Sequence, residues 1–401
     1  MRIAFLAQRV PYPPDRGDKI TTFHEVVHLS RYDDVEVFCL ADGIEDLENV
    51  APLNQHASAV IAVPVSGMKA RARCLAALAT NKPLTVAFFD EPRLHQALIA
   101  RHARAPFDAA VVYSSSMAQY VEGCHDLFRV MQFADLDSLK WGQYASRSRF
   151  PLSALYRREA HLLLEYERRI ARMFNHSLVC TSVEKADFVR LIPDAPVTCV
   201  PNGVDIDHFR CDPAVVKTRA RLAFAGVMDY RPNVDAVVWF VREILPLIRD
   251  AVPDASFTIC GARPSRSVTE LANVPGVFVT GRVPDTRPVM QAAEVSVIPL
   301  RMARGIQNKL LESMAMSLPC VTTPAVARAL VGDAQGAVLV AESPVEFAGH
   351  VVTLLRDRSL RKTFGDKARA AVEGSYRWDV PLSRLSQLIQ AGVAGRRKLS
   401  P

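Results

Sequence analysis

Gln307, Asn308, Lys309 and Glu312 lie close together in a stretch that otherwise holds Ile306, Leu310, Leu311, Met314 and Ala315. Spacings of three and four residues put Asn308, Lys309 and Glu312 on one face of a helix, with the apolar residues behind them. The run follows a strand-like apolar segment, Val295–Ile298, and Gly305 gives the intervening loop a flexible joint. A helix that starts near Gln307 presents unpaired backbone N–H groups, which favour an anion, and Lys309 adds a full positive charge. The Glu312 carboxylate can accept two hydroxyl hydrogen bonds. A diphosphate beside a ribose calls for this combination. A short surface helix with an ordinary Lys–Glu pair would have a similar composition. The placement directly after a strand end favours the binding site.

The rest of the chain must supply strands whose carboxyl ends carry such loops. In the first half, short apolar runs at Arg2–Ala7, Val35–Leu40, Ala59–Val63, Asp108–Tyr113, Arg129–Phe133, Ser177–Thr181 and Val197–Val200 alternate with helical stretches such as Leu152–Phe174. The second half repeats the scheme, with strands predicted at Leu222–Ala225, Ser256–Cys260, Val277–Thr280, Val295–Ile298, Cys320–Thr322 and Val338–Val340. Helices are predicted at Asn233–Arg249, Asn308–Met316 and Pro344–Asp357. The runs are continuously apolar rather than alternating, which suits parallel strands buried on both faces. Strand–helix alternation of this kind predicts an α/β fold with two Rossmann-like, doubly wound domains. Pro201–Thr218 is the linker candidate. Open sheets of this class bind ligands beyond their carboxyl strand ends, so a cleft between the two domains is expected to hold the site.

Length and composition agree. At 401 residues the chain exceeds one ordinary core, and 49% apolar with 23% charged residues fits a globular protein. No apolar run has the length of a membrane span, and the start reads poorly as a signal peptide, so a cytoplasmic location is expected. Eight cysteines without a Cys-x-x-Cys pair are expected to be reduced core residues. The net charge of +7 is concentrated in Lys69, Arg71 and Arg73 and in Arg147, Arg149, Arg157, Arg158, Arg168, Arg169 and Arg172. Aromatic residues are not interleaved with them, which argues against nucleic acid. An anionic membrane surface is the candidate partner, through Met68–Ala79 and the Arg147–Arg172 region, with peripheral contact at the inner face of the cytoplasmic membrane. The basic tail Arg396-Arg397-Lys398 is expected to fray.

With Ser317-Leu-Pro-Cys-Val-Thr-Thr323 after it, the Arg304–Met316 stretch resembles the nucleotide-sugar motif of family-4-type retaining glycosyltransferases of GT-B fold. Val200-Pro-Asn-Gly-Val-Asp205 resembles their linker signature. Phe224-Ala-Gly226 resembles the first strand and loop of their donor domain, and Ile259-Cys-Gly261 and Gly281-Arg-Val283 resemble their base-binding strand ends. Pro11-Tyr-Pro-Pro-Asp-Arg-Gly-Asp18 sits where they keep an acceptor-side loop. Within that group the chain is most similar to the glycosyltransferases found with PEP-CTERM/exosortase exopolysaccharide systems. The resemblance implies an acceptor-binding domain over 1–205, a donor-binding domain over 206–377, and a last helix, 378–401, packed back on the first. It implies transfer of a sugar from a nucleotide-sugar donor to a glycan or lipid-linked acceptor, with retention and without a metal or other cofactor. Lys309, Glu312 and Arg231 are then the catalytic candidates. Gly226, Gly261, Arg282, Val283, Arg304, Gly305, Ile306, Gln307 and Asn308 join Lys309 and Glu312 in holding the donor. Arg16, Gly17, Asp18, Lys19, Ser115, Ser116, Asp135 and Asp137 are the acceptor-side candidates. The chain departs from the pattern at Arg304, where relatives carry a glutamate. It departs again at Val227, where they carry an arginine.

Other motifs point elsewhere. His24-Glu25-Val-Val-His28 matches a zinc-hydrolase pattern with two histidines one helical turn apart, for which Glu45 or Glu48 would have to supply the third ligand. Asp135-Leu-Asp137 and Asp205-Ile-Asp207 match the Asp-x-Asp pattern of metal-dependent glycosyltransferases. A non-catalytic nucleotide-sugar-binding module is a further alternative. No Gly-x-Gly-x-x-Gly turn follows the first strand, which argues against a dinucleotide-dependent epimerase.

Overall fold

The computed structural model describes residues 1–399, which form two compact units: Met1–Pro201 with Leu382 onward, and Asn202–Pro381. The first contains a seven-stranded parallel sheet: β1 (Arg2–Ala7), β2 (Asp34–Ala41), β3 (Ala59–Pro64), β4 (Ala109–Tyr113), β5 (Phe128–Ala134), β6 (His176–Val179) and β7 (Val197–Cys199). The second contains a six-stranded parallel sheet: β8 (Arg221–Ala225), β9 (Ser256–Cys260), β10 (Val277–Gly281), β11 (Val295–Ile298), β12 (Cys320–Thr322) and β13 (Leu339–Val340). Each strand predicted from its apolar run is present, with ends shifted by a residue or two. The central strands β1, β4, β8 and β11 are fully or almost fully buried, as unbroken apolar runs require.

Strand order is β3-β2-β1-β4-β5-β6-β7 in the first sheet and β10-β9-β8-β11-β12-β13 in the second. Both are doubly wound. The order reverses between β1 and β4 in one and between β8 and β11 in the other. Connections leave in opposite directions at such a point, so the loops splay apart and open a crevice.

The predicted Asn233–Arg249 helix is broken. An α-helix, Arg231–Trp239, passes through a π-turn, Phe240–Ile244, into a second helix, Leu245–Ala251. Pro246 accounts for this: it has no N–H to donate and crowds the carbonyl four residues back, and the wider turn relieves both.

The linker belongs with the second unit from Asn202 onward rather than from 206. Val204 donates its N–H to the Tyr376 carbonyl at 2.7 Å, and a Cβ on Gly203 would lie 2.7 Å from the Trp378 ring. The last helix, Asp379–Leu399, carries Gly392 against the Phe128 ring of the first unit, where an added Cβ would come within 2.1 Å. The basic tail is not frayed. Arg396 donates to the Leu127 and His125 carbonyls at 2.8 and 2.7 Å, and Arg397 to Asp108 at 2.6 Å.

Of the eight cysteines, all free, Cys39, Cys180, Cys260 and Cys320 are buried, whereas Cys211 is exposed in the linker. The arginine-rich region is not one open patch either. Arg73, Arg158 and Arg168 donate to the carbonyls of Ala87 and Phe88, Ala77 and Thr80, and Leu191, so they brace helices and loops.

Candidate functional site

In the second unit, the loops after β8 and β11 flank the switch point. The helix Asn308–Ala315 starts after the β11 loop, with Gln307 as its cap residue, whose side chain makes no capping hydrogen bond. Gly305 has φ of 61°, a left-handed conformation that a side chain would strain. Ile306 is tucked into the core, Gln307 donates to the Arg304 carbonyl at 2.9 Å, and Arg328 ties down the Ala303 carbonyl at 3.0 Å. Leu310, Leu311, Met314 and Ala315 are buried in the main core of this unit. Ser313 fixes the helix to its strand through a hydroxyl contact with Ser296 at 2.8 Å.

Lys309 and Glu312 lie on the half-buried face of this helix. The Lys309 ammonium donates to Asn233 Oδ1 at 2.9 Å and sits 5.3 Å from the centre of the Phe224 ring. Asn233 Nδ2 donates in turn to the Val227 carbonyl at 2.9 Å. The ends of the strands crowd together here. Gly226 donates its N–H to the Cys260 carbonyl at 2.9 Å and Gly261 to the Gly281 carbonyl at 3.2 Å. A Cβ on Gly261 would lie 1.7 Å from the Gly226 oxygen, so glycine is required.

Burial shifts both titrating groups. It pulls the Lys309 ammonium down to about 8, the nearby Glu312 charge opposing, and pushes the Glu312 carboxyl up to about 7, with Lys309 opposing. At neutral pH Lys309 is mostly charged and Glu312 is near its midpoint. Hydroxyls donating to Glu312, or an anion beside Lys309, would favour the charged form of each.

The other donor-side candidates fall around this centre unevenly. Arg231 is exposed and opens the helix Arg231–Trp239; the side chain of that helix that meets Lys309 is Asn233. Arg304 is half-buried next to Gly305, Arg282 is exposed after β10, and Val283 is half-buried. Asn308 accepts a 3.3 Å hydrogen bond from Asn202 of the linker, and its Nδ2 is buried without a hydrogen-bond partner among the described residues. Sequence reasoning missed Asn233 and Asn202. The available signal for Asn233 was a polar residue within the apolar stripe of its helix.

In the first unit the acceptor-side candidates lie at the carboxyl ends of β1, β4 and β5. Gln8 bridges its switch point by donating to Ser116 at 2.9 Å and Ser114 at 3.3 Å, and the Ser115 hydroxyl is buried without a hydrogen-bond partner among the described residues. Ser114 holds φ of 75°, a sparsely populated conformation that concentrates at functional loops. Gly17 opens the helix Gly17–Leu29. Several of the loop charges serve the loop itself. Asp18 pairs with Arg9 and Arg16 at 2.9 and 2.8 Å, which holds its carboxyl low against burial, and Lys19 pairs with Asp46 at 2.8 Å. Asp135 follows β5, and Asp137 opens the helix Asp137–Ser146 and accepts from Lys140 at 3.2 Å.

Residues of the other motifs have local partners of their own. Glu25 is 1% exposed and accepts one hydrogen bond, at 3.1 Å, from the buried Gln132 of β5, so it faces the sheet rather than solvent. The side chain of Glu45 lies outside the described residues, and no group of three metal-ligating side chains comes together among those described. Asp205 Oδ1 accepts from the N–H groups of Asp207 and His208, a local turn.

Comparison with known proteins bears on this site directly: residues 219–357 match the glycosyl transferases group 1 family. The likeness is confined to that segment of the second unit. The segment contains β8, β11, Gly226, Asn233, Lys309 and Glu312. Over 227 residues the chain is 28% identical to a GDP-mannose-dependent alpha-(1-6)-phosphatidylinositol monomannoside mannosyltransferase of Mycobacterium tuberculosis, which covers 51% of this chain and 58% of that enzyme. The chain thus spans little more than half the length of that relative. Among solved structures, a sucrose-phosphate synthase from Thermosynechococcus elongatus superposes with TM-score 0.73 at 15% identity, covering 98% of this chain and 100% of that one. HepE of Anabaena in complex with UDP superposes with TM-score 0.67 at 13% identity, with 98% and 100% covered. These likenesses show the fold: two parallel-sheet Rossmann-like domains of the GT-B type.

Proposed function

We propose that this protein is a glycosyltransferase that takes a sugar from a nucleotide-sugar donor held by the group 1 domain. The observation that carries this is the Lys309 ammonium, held beside Gly226 at the β8/β11 switch point, with an uncapped helix end next to it and Glu312 one turn on. In this reading the helix N–H groups and Lys309 grip the diphosphate and stabilise the charge it gains as the sugar–phosphate bond breaks. Glu312 accepts the ribose hydroxyls. Arg231 and Arg304 are secondary phosphate or sugar contacts, and the base lies toward Gly261, Arg282 and Val283. The reaction retains the anomeric configuration and needs no metal; the departing phosphate oxygen takes the acceptor's proton. The support for these two features is the sequence resemblance.

The acceptor is a glycan or a lipid-linked glycan of a bacterial envelope or exopolysaccharide, of the kind made with PEP-CTERM/exosortase systems. The acceptor class of the mycobacterial relative and the exposed face of the helix Gly67–Leu78 favour a lipid-linked one. On that face Met68, 83% exposed, and Leu75, 69% exposed, are flanked by exposed Lys69 and Arg71. An apolar stripe edged with cations fits the surface of an anionic bilayer. Among the described residues no helix is long and apolar enough to cross it.

Titration of the full chain with UDP and GDP tests the donor site. One of them should bind, and Glu312→Ala should weaken it at least tenfold, about 1.4 kcal/mol. Unchanged affinity would reject the site. Sedimentation with phosphatidylglycerol vesicles should be lost in Met68→Ser/Leu75→Ser; equal sedimentation would remove the membrane assignment.

A further inference from the structure

We infer that Asn233 is a positioning residue that holds the Lys309 ammonium at the switch point while leaving its charge available to an incoming diphosphate. This rests on the donor-site reading above and assigns a role to a residue outside the motif. Asn233 is 3% exposed, yet it stands in the first turn of a helix packed into the core, where an apolar residue would fit the stripe. Both ends of its amide are committed. Nδ2 donates to the Val227 carbonyl at 2.9 Å, which forces Oδ1 toward Lys309 at 2.9 Å.

The neutrality of this partner decides its role. Several arginines of the same domain are paired with carboxylates: Arg301 with Asp235 at 2.6 Å, Arg263 with Asp229 at 2.7 Å, Arg287 with Asp285 at 2.7 Å. Their charges are largely cancelled. The groups that hold the Lys309 ammonium are an amide oxygen and an aromatic face, and the carboxyl that acts on it from the same helix, Glu312, is pushed toward its neutral form by burial, so the lysine's field is only partly offset. Asn233 and Phe224 therefore fix the ammonium without adding a charge that would cancel it. Lysine is a flexible point charge, and ordering it before the ligand arrives removes part of the cost of binding. Gly226 completes the arrangement. A Cβ there would lie 2.7 Å from Asn233 Nδ2 and 3.3 Å from Lys309 Cε, so any larger residue would displace the pair.

A double-mutant cycle on the full chain tests this, with UDP and GDP titrated by calorimetry and thermal melting used to check each fold. Lys309→Met should weaken diphosphate binding at least tenfold. Asn233→Ala should weaken it three- to tenfold while leaving affinity for the corresponding nucleoside unchanged, and the double variant should be no weaker than Lys309→Met alone. Asn233→Asp, which keeps an acceptor but adds a negative charge, should not restore binding; a plain hydrogen-bonding role would let it. If Asn233→Ala melts early, Asn233→Ser takes its place. Wild-type affinity in Asn233→Ala, losses that add in full, or rescue by aspartate would overturn the inference while leaving the donor site standing. Wild-type affinity in Lys309→Met would instead overturn the donor site itself, and this inference with it.

Discussion

Replacing Lys309 by methionine keeps an unbranched apolar chain one atom shorter and removes the charged ammonium with its hydrogen bond to Asn233. The ammonium rests on Asn233 Oδ1 and over the Phe224 ring, so a methionine leaves an apolar chain beside the ring and costs the Asn233 oxygen its donor; thermal melting checks that the fold is kept. A unit charge about 4 Å from a phosphate oxygen is worth about 4 kcal/mol at an effective dielectric constant near 20, and about 1 kcal/mol if the site is as wet as bulk water. Lys309 is half-buried, so the loss should fall between these, at about 1.4–3 kcal/mol, or roughly ten- to 150-fold in the dissociation constant. The pH profile gives the sharper assay. Burial lowers the Lys309 ammonium to about 8, so the free protein loses this charge as pH rises through that value. A diphosphate holds the proton on. Binding above pH 8 must therefore be accompanied by proton uptake, and wild-type affinity should decline by up to tenfold per pH unit there. Below pH 8 the lysine is already charged and contributes no slope. In Lys309→Met the decline above pH 8 should vanish. Calorimetry with UDP or GDP at pH 7 to 9.5 measures both. Parallel profiles for the two proteins would refute the assignment of Lys309 to the diphosphate.

Two further outcomes follow from burial elsewhere. Burial pushes the Glu25 carboxyl up to about 8, and one of its oxygens has no hydrogen-bond partner among the described residues, so the folded state keeps a proton that the unfolded chain releases near 4.5. Stability from this group is complete below about 4.5 and is lost as pH rises through 8; Glu25→Gln should therefore gain melting temperature relative to wild type at pH 8.5 but not at pH 4.5, and an equal difference at both would contradict it. Gly392→Leu would drive a side chain into the Phe128 ring and should lower stability by about 1–3 kcal/mol, read as a shifted denaturant midpoint, with no shift if the last helix does not dock there.

The strands, their parallel character and the helix that follows Val295–Ile298 were legible in the sequence. Unbroken apolar runs such as Val295–Ile298 have only one economical use, a strand covered on both faces, and a polar triad at three- and four-residue spacing marks one face of a helix. Gly305 and Gly226 also announced themselves as loop positions. Pro246 was present to be read and still did not reveal the π-turn, because whether a helix breaks or widens at a proline depends on what packs against it. The Arg147–Arg172 charges could not be sorted into surface cations and braces, since a carbonyl such as Leu191's comes within reach only when its loop folds against the helix. Asp18 and Lys19 were legible as polar loop residues, but their commitment to Arg9, Arg16 and Asp46 was not.

The sequence alone therefore determined which elements form and which side chains share a helix face, because burial periodicity and helix-face spacing are local properties of the chain. Only the tertiary structure decided what Lys309 touches. Its partner, Asn233, is brought in from another helix by the pairing of β8 with β11, and no spacing along the chain encodes a contact of that kind.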